Sequence, residues 1–198
     1  MIDIFARVKS EFSGAKFAKQ AVFATAVALT NTAKDAQADV LDSLAQTFTL
    51  RGKWFAPSNK FGIKVKTARK DDLQSAVYTD ADWLIPHETG EDKLPRGNSL
   101  AVPTENVRRS KKDFIIKSNR PRALQQGFIL TSKKTGHKIL FIRKGKKKRS
   151  YLVALYNLTT RVHIKKQSTV IEPIQKTVER NFYKNYEIAL RRALETAK

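Results

Sequence analysis

The side chains with the clearest chemical potential in this sequence are cations. Six of them fall within seven residues: Arg143, Lys144, Lys146, Lys147, Lys148 and Arg149. This density repels itself too strongly for a buried segment, so it predicts a surface loop or an extended edge. Such a tract can contact nucleic-acid phosphates, where counterion release supplies affinity without reading base sequence. The alternative is a solvated loop that docks on an acidic neighbouring protein.

Further cations lie shortly before this tract. One group surrounds the apolar triplet at 114–116, which is predicted to anchor a basic arm: Arg108, Arg109, Lys111, Lys112, Lys117, Arg120 and Arg122. Another pair, Lys133 and Lys134, begins a segment whose glycine and polar residues predict a hairpin loop. Residues 106 to 171 contain 19 Lys or Arg and one acid, a net +18 of the total +21. We expect these cations to contact DNA or a partner protein.

Catalytic residue patterns are weak by comparison. The acidic pairs at 71–72 and at 80 and 82, with His87 and Glu88, could hold magnesium for nuclease chemistry. His87 has no second histidine four residues later, as a zinc-protease motif requires, and turn or capping roles are commoner for such acids. The sequence has no Walker loop, GxSxG elbow or dinucleotide fingerprint. It predicts no enzymatic activity, no metal and no cofactor, with a metal-dependent nuclease as the weakest alternative.

Aromatic residues offer two further possibilities. Trp54 and Phe55 would form a plausible interface anchor if exposed, although a core position for Trp54 is equally compatible with the sequence. Four aromatics are interleaved with cations and could stack on nucleic-acid bases: Phe114, Phe128, Phe141 and Tyr151. Core packing of strand aromatics is the preferred interpretation.

The composition indicates one globular domain spanning residues 1–198. A hydrophobic content of 41% is enough for a core, and the chain has no cysteine, which gives no sign of an oxidising compartment. The apolar stretch at 21–29 is too short to span a bilayer. We therefore expect synthesis in the cytoplasm and no membrane insertion.

Periodicity predicts an α+β fold. Apolar residues recur every three or four positions over 16–48, which indicates a long helix whose alanines would let a partner helix approach closely. A second amphipathic helix is predicted over 173–196. The region 60–156 between them has six short β-prone runs, 61–66, 73–78, 99–102, 128–131, 139–143 and 152–156. The expected result is an antiparallel sheet flanked by the two helices, with basic loops or arms.

Several segments, taken in order, resemble the minor tail protein Z group and related tail-completion or neck proteins of long-tailed bacteriophages and prophages. The matching segments are ALTNTAKDA at 28–36, HETG at 87–90, LAVP at 100–103, RPRAL at 120–124 and the C-terminal amphipathic helix. Together they span nearly the whole chain.

This resemblance implies a non-catalytic virion component, made in the bacterial cytoplasm, at the junction of head and tail. It would form a homo-oligomeric ring or collar around the DNA channel and would contact neighbouring neck, tail-terminator or connector proteins. A ring repeats each basic surface by symmetry, which would multiply weak attraction to packaged double-stranded DNA. The cations could equally face acidic surfaces of adjacent rings. A non-viral protein that binds nucleic acid without sequence preference is the alternative, favoured by charge alone.

Overall fold

The computed structural model describes residues 15–133, 136–145 and 149–196. Its internal contacts divide the chain into two compact units. Unit 1 comprises Met1–Thr89 and Lys166–Lys198, and unit 2 comprises Gly90–Lys165. The single domain expected from the sequence stays a prediction, and each unit is described by itself.

Two long antiparallel helices form most of unit 1. Helix α1 is Ala15–Thr47 and helix α3 is Ile171–Glu195. They pack through small side chains, with Ala24 and Ala28 of α1 buried against Ala189 and Ala193 of α3. Alanine both favours helix and allows close approach, so the predicted partner helix of α1 is confirmed.

Polar side chains connect the same two helices along one flank. Three positions of α1, each about one helical turn from the next, bind side chains of α3. Asn185 donates to Thr32 Oγ1 at 3.1 Å and to Asp35 Oδ2 at 2.9 Å. Arg180 donates to Asp39 Oδ2 at 2.8 Å. This ladder fixes the register of α3 on α1.

The remainder of unit 1 is a small layer on the same helix pair. Strands β1 (Lys64–Lys66) and β2 (Ala76–Tyr78) form an antiparallel pair. A 3-10 turn, Asp82–Leu84, leads into the short helix α2, Ile85–Thr89. Their apolar side chains pack with the C-terminal half of α1 and the start of α3 in one buried cluster: Ala33, Ala36, Val40, Leu44, Phe55, Ile63, Val77, Ala81, Leu84, Val170 and Ile174.

Unit 2 is built on a four-stranded antiparallel sheet in the order β4-β7-β6-β5. Strand β4 is Leu100–Pro103, β5 is Phe128–Thr131, β6 is Lys138–Lys144 and β7 is Tyr151–Thr159. The two-residue strands β3 (Asp92–Lys93) and β8 (Val162–His163) form a separate pair.

One face of this sheet is covered by residues 104–127, which we call the arm. Val107, Ile115 and Leu124 of the arm pack on strand residues that include Leu155 and Tyr156. The Tyr156 hydroxyl donates to the Asn119 carbonyl at 2.7 Å, which ties the arm to the sheet beyond its tip. The prediction that the triplet at 114–116 anchors a basic arm therefore holds for Ile115, while Phe114 is exposed.

The α+β class with two long helices and antiparallel strands is confirmed. Each of the six β-prone runs overlaps a strand. These six strands form two sheets where the sequence predicts one, and the short strands β3 and β8, which lie outside the predicted runs, form a third. Helix α3 begins at Ile171, two residues before the predicted start at 173. The Glu88 side chain accepts hydrogen bonds from the Val170 and Ile171 N–H groups at this start. Among the described residues, no helix has the length and apolar content needed to cross a bilayer.

Candidate polyanion-binding site

Three cation-rich turns project from unit 2, and the first is the tip of the arm. Residues 109–115 form a small hairpin, in which Arg109 pairs with Ile115 and the Ser110 N–H donates to the Phe114 carbonyl at 2.8 Å. Asp113 completes the turn with a φ of 60°, a left-handed conformation that Asp tolerates better than most residues. Arg109 lies 3.6 Å from the Asp113 carboxylate. Lys111 and Lys112 are exposed at the tip.

The second turn joins β5 to β6 and confirms the predicted hairpin. The Ser132 N–H donates to the His137 carbonyl at 2.9 Å, and the Gly136 N–H donates to the Ser132 carbonyl at 2.9 Å. Gly136 has a φ of 68°, which glycine adopts without steric cost. Lys133 is exposed, and Lys134 lies outside the described residues.

The third turn joins β6 to β7 and contains the densest cation tract. Lys144 pairs with Tyr151 at the end of the ladder. Gly145 has a φ of 89°, and a Cβ there would lie 2.4 Å from the Arg149 carbonyl oxygen, so only glycine fits. Arg149 is exposed, while residues 146–148 lie outside the described residues.

The second and third turns lie at opposite ends of β6, a seven-residue strand that spans roughly 20 Å.

Unit 2 as a whole has 20 Lys or Arg against 4 Asp or Glu, a net +16, whereas unit 1 has 19 against 14, a net +5. The structure describes ten of the predicted contact residues: Arg108, Arg109, Lys111, Lys112, Arg120, Arg122, Lys133, Arg143, Lys144 and Arg149. Lys144 is half-buried and the other nine are exposed. The arrangement can attract a polyanion over a broad surface, and the contact role of these residues stays a prediction.

Glu88, a candidate in the nuclease alternative, has a structural role that the sequence did not indicate. Its side chain is 4% exposed. One carboxylate oxygen accepts hydrogen bonds from the backbone N–H groups of Thr169 (2.7 Å) and Val170 (2.9 Å) and from the Thr169 hydroxyl (2.8 Å). The other oxygen accepts from the Ile171 N–H at 3.3 Å and from Ser168 Oγ at 3.4 Å. Glu88 therefore satisfies the free N–H groups at the start of α3, where negative charge is stabilised by the helix dipole.

His87 is likewise part of the packing of unit 1. Its ring meets Phe48 edge-on with ring centroids 5.0 Å apart. Its carbonyl accepts a hydrogen bond from the Gln167 N–H at 2.6 Å. Within the described part of the chain, no group of three His, Cys, Asp or Glu side chains could hold a metal ion.

Two of the four aspartates in the nuclease alternative form ion pairs within the β1–β2 region. Asp72 lies 3.0 Å from Lys66, and Asp80 lies 3.0 Å from Lys64. These two carboxylates fasten β1 to the chain around β2. The expectation that the chain is not an enzyme stays a prediction.

The predicted interface pair lies in an aromatic cluster of unit 1. The expectation of an exposed Trp-Phe pair is wrong for Phe55, which is 4% exposed and belongs to the core. Trp54 is half-buried, and its ring centroid is 4.0 Å from that of Trp83. Trp83 is the exposed member at 46%. An interface role for Trp54 and Phe55 stays a prediction.

Two sheet aromatics of unit 2, Phe128 and Phe141, lie on the face opposite the arm. Phe128 and Phe141 are register partners on β5 and β6, and their rings are stacked with centroids 6.4 Å apart. Both are half-buried, and neither belongs to the buried cluster beneath the arm. The two rings therefore pack on each other, but they do not belong to the core beneath the arm that the preferred interpretation would place them in.

Comparison with known proteins adds no relative: no family model, no curated protein and no solved structure matches this chain. The residues, their geometry and the order of the segments are therefore the basis for a functional proposal.

Proposed function

We propose that this chain is a structural virion protein of a tailed bacteriophage, located at the head-tail junction as a neck or tail-completion component. In this role it forms a homo-oligomeric ring or collar around the DNA channel. The location is supported by the order of segments that resembles the tail-completion proteins, and DNA contact by the structure of unit 2.

The observation that carries the proposal is the placement of lysines and arginines on three separate turns of one small unit. A unit with +16 net charge attracts phosphates over its whole surface. Within the described part of these turns, Lys111, Lys112, Lys133 and Arg149 are exposed. Such a surface holds a duplex without reading its sequence, which suits a channel through which any DNA must pass.

Ring symmetry would strengthen the weak attraction between the cations of a single subunit and DNA. Each subunit in a ring presents the same turns toward the axis, so the attraction of the individual subunits acts on one DNA molecule. In the alternative arrangement, the turns face acidic surfaces of adjacent rings and govern assembly instead.

DNA binding as a function of salt tests the cation placement. Changing Lys146, Lys147, Lys148 and Arg149 to Ala should weaken binding to unrelated duplexes equally. The slope of log K against log salt should flatten by up to about 0.9 for each phosphate that the variant no longer neutralises. The control is a triple variant that removes three exposed cations of α3 in unit 1, Lys184→Ala, Arg191→Ala and Arg192→Ala, and it should leave the slope nearly unchanged.

The comparison also separates the proposal from its alternatives. An unchanged slope in the quadruple variant would assign that tract to a protein interface. Tight binding to DNA and RNA alike, by a chain that stays monomeric and does not bind purified phage tails, would favour a non-viral nucleic-acid-binding protein and contradict the neck assignment.

A further inference from the structure

Two aromatic side chains of unit 2 are exposed, contrary to the preferred interpretation of core packing. Phe114 in the arm-tip hairpin is 51% exposed, and Tyr151 at the start of β7 is 59% exposed. The buried cluster beneath the arm, as the described residues define it, includes neither ring. The core-packing interpretation is therefore wrong for both, and their surroundings indicate another use.

The backbone of Phe114 is bound on both of its polar groups by Ser110. The Ser110 N–H donates to the Phe114 carbonyl at 2.8 Å, and the Phe114 N–H donates to Ser110 Oγ at 3.2 Å. The next residue, Ile115, packs on the sheet beneath the arm. The hairpin therefore presents the Phe114 ring to solvent from an ordered backbone, which lowers the entropy lost when a flat ligand stacks on the ring.

Exposed cations flank both rings in the chain. Lys111 and Lys112 lie in the same hairpin as Phe114 and are exposed. Arg149, two residues before Tyr151, is also exposed. An exposed aromatic ring beside exposed cations thus occurs twice in unit 2, once at the first cation-rich turn and once at the third.

Both rings belong to the same side of the four-stranded sheet. Val153 lies two positions after Tyr151 in β7 and packs in the cluster beneath the arm. Alternate residues of a strand share a face, so Tyr151 projects on the side that the arm covers. Phe128 and Phe141, by contrast, stack on each other on the opposite face.

We propose that Phe114 and Tyr151 stack on unpaired bases of a single-stranded nucleic acid while the neighbouring cations contact its phosphates. A single strand offers an accessible base face and a phosphate at each nucleotide, which is the combination that an aromatic ring beside cations binds. In an intact duplex the base faces are covered by the neighbouring bases, so only phosphates, sugars and base edges are accessible. This inference goes beyond the proposed function, which requires contact with duplex phosphates only.

Charge argues against a protein as the occupant of this site. The centres of protein interfaces are depleted of charged residues, and a buried cation without a partner is costly. Lys111 and Lys112 lie within three residues of Phe114, in a unit of net charge +16. A ligand that carries a negative charge beside every flat apolar face satisfies the ring and the cations together.

Substitutions of Phe114 test the stacking contact. Phe114→Ala should weaken binding of a short mixed-sequence DNA strand by about fivefold to a hundredfold, the size of one base-aromatic stacking contact. Phe114→Leu, which keeps an apolar side chain but removes the ring, should also weaken it, whereas Phe114→Trp should bind at least as tightly as the unchanged protein. The matching duplex should bind all four proteins equally.

Salt dependence separates the ring from the cations. The ring neutralises no phosphate, so Phe114→Ala should leave the slope of log K against log salt unchanged for the single strand. The double change Lys111→Ala and Lys112→Ala should flatten that slope by up to about 0.7 for each lost phosphate contact.

Matched controls are available for both rings. Ile129→Ala changes a 56% exposed apolar side chain of β5 that has no Lys or Arg within three residues, and it should bind the single strand like the unchanged protein. Tyr151→Leu should weaken that binding, whereas Tyr151→Phe keeps the ring and should not. Circular dichroism should show equal secondary structure in all variants.

Photocrosslinking locates the contact directly. A DNA strand that carries 5-iodouracil should crosslink to Phe114 and Tyr151, as mapped by mass spectrometry of the digested complex. Crosslinks confined to other residues would contradict the stacking site.

The affinities also separate this inference from the proposed function. If Phe114→Ala binds the single strand as tightly as the unchanged protein, or loses duplex and single strand equally, stacking on unpaired bases is wrong while salt-dependent duplex binding still stands. If the unchanged protein binds single strands through Phe114 but does not bind duplex, the proposed duplex contact is wrong and the stacking site stands. If it binds neither, both are wrong.

Discussion

Removing the Glu88 carboxylate should selectively destabilise unit 1. Glu88→Ala deletes the acceptor for the N–H groups of Thr169, Val170 and Ile171 at the start of α3. Thr169 and Val170 are buried, at 2% and 5% exposed, so water cannot readily replace the carboxylate. Glu88→Gln keeps one acceptor oxygen of similar shape but removes the charge.

The size of the effect follows from those hydrogen bonds. An unsatisfied buried donor costs about 1–3 kcal/mol, and two such donors with a weaker third give a loss of roughly 3–5 kcal/mol for Glu88→Ala. A partly buried charge at a helix terminus contributes up to about 2 kcal/mol, so Glu88→Gln should cost roughly 1–2 kcal/mol. For a chain of this length the alanine change corresponds to a fall in Tm of roughly 6–20 °C.

Tryptophan fluorescence during guanidinium unfolding is the appropriate assay. Both tryptophans, Trp54 and Trp83, belong to unit 1, so the signal reports that unit. Glu172→Gln serves as the control because Glu172 is an exposed acid in the first turn of the same helix, and it should shift the midpoint little. An alanine variant at Glu88 that unfolds at the wild-type midpoint would refute the capping role.

Three further changes have defined outcomes. Burial raises the pKa of the Tyr156 hydroxyl above its usual value of 10.0, and the nearby charge of Arg109 only partly offsets this rise. The stability that the neutral hydroxyl contributes is therefore fully present below pH 10.0 and is lost as the pH rises through the raised pKa. Denaturant unfolding followed by circular dichroism should therefore show a steeper fall in stability above about pH 10 for the wild type than for Tyr156→Phe. At position 113, Asp113→Gly should be more stable than Asp113→Ala by roughly 1 kcal/mol, because both lose the same ion pair and only alanine meets the left-handed φ. Asn185→Ala removes the hydrogen bonds to Thr32 and Asp35 and should lower the free energy of unfolding by roughly 1–2 kcal/mol in the same fluorescence assay.

Local patterns predicted the secondary structure well because its causes are local. The alanine-rich period of α1 and the turn residues Gly136 and Gly145 act within a few positions. The division of the strands into three sheets was not predictable in this way, because it depends on which strands meet in space. Strands β3 and β8 have two residues each, too few to show an alternating pattern.

The candidate site was predictable in part. Charge density alone placed cations on exposed turns, since such tracts cannot be buried without counter-charge. Glu88 was misleading, because an acid beside a histidine suggests metal chemistry, whereas its hydrogen-bond partners are 80 to 83 residues away in sequence. Phe55 shows the same limit: its apolar type fits a core or an interface, and only tertiary packing decides between them.

The most direct test of the neck assignment is electron microscopy of phage particles from a producing strain, labelled with gold-conjugated antibody to this chain. The account predicts label at the junction of head and tail, and closed rings in images of the purified protein. Unlabelled particles together with dispersed single subunits would contradict it.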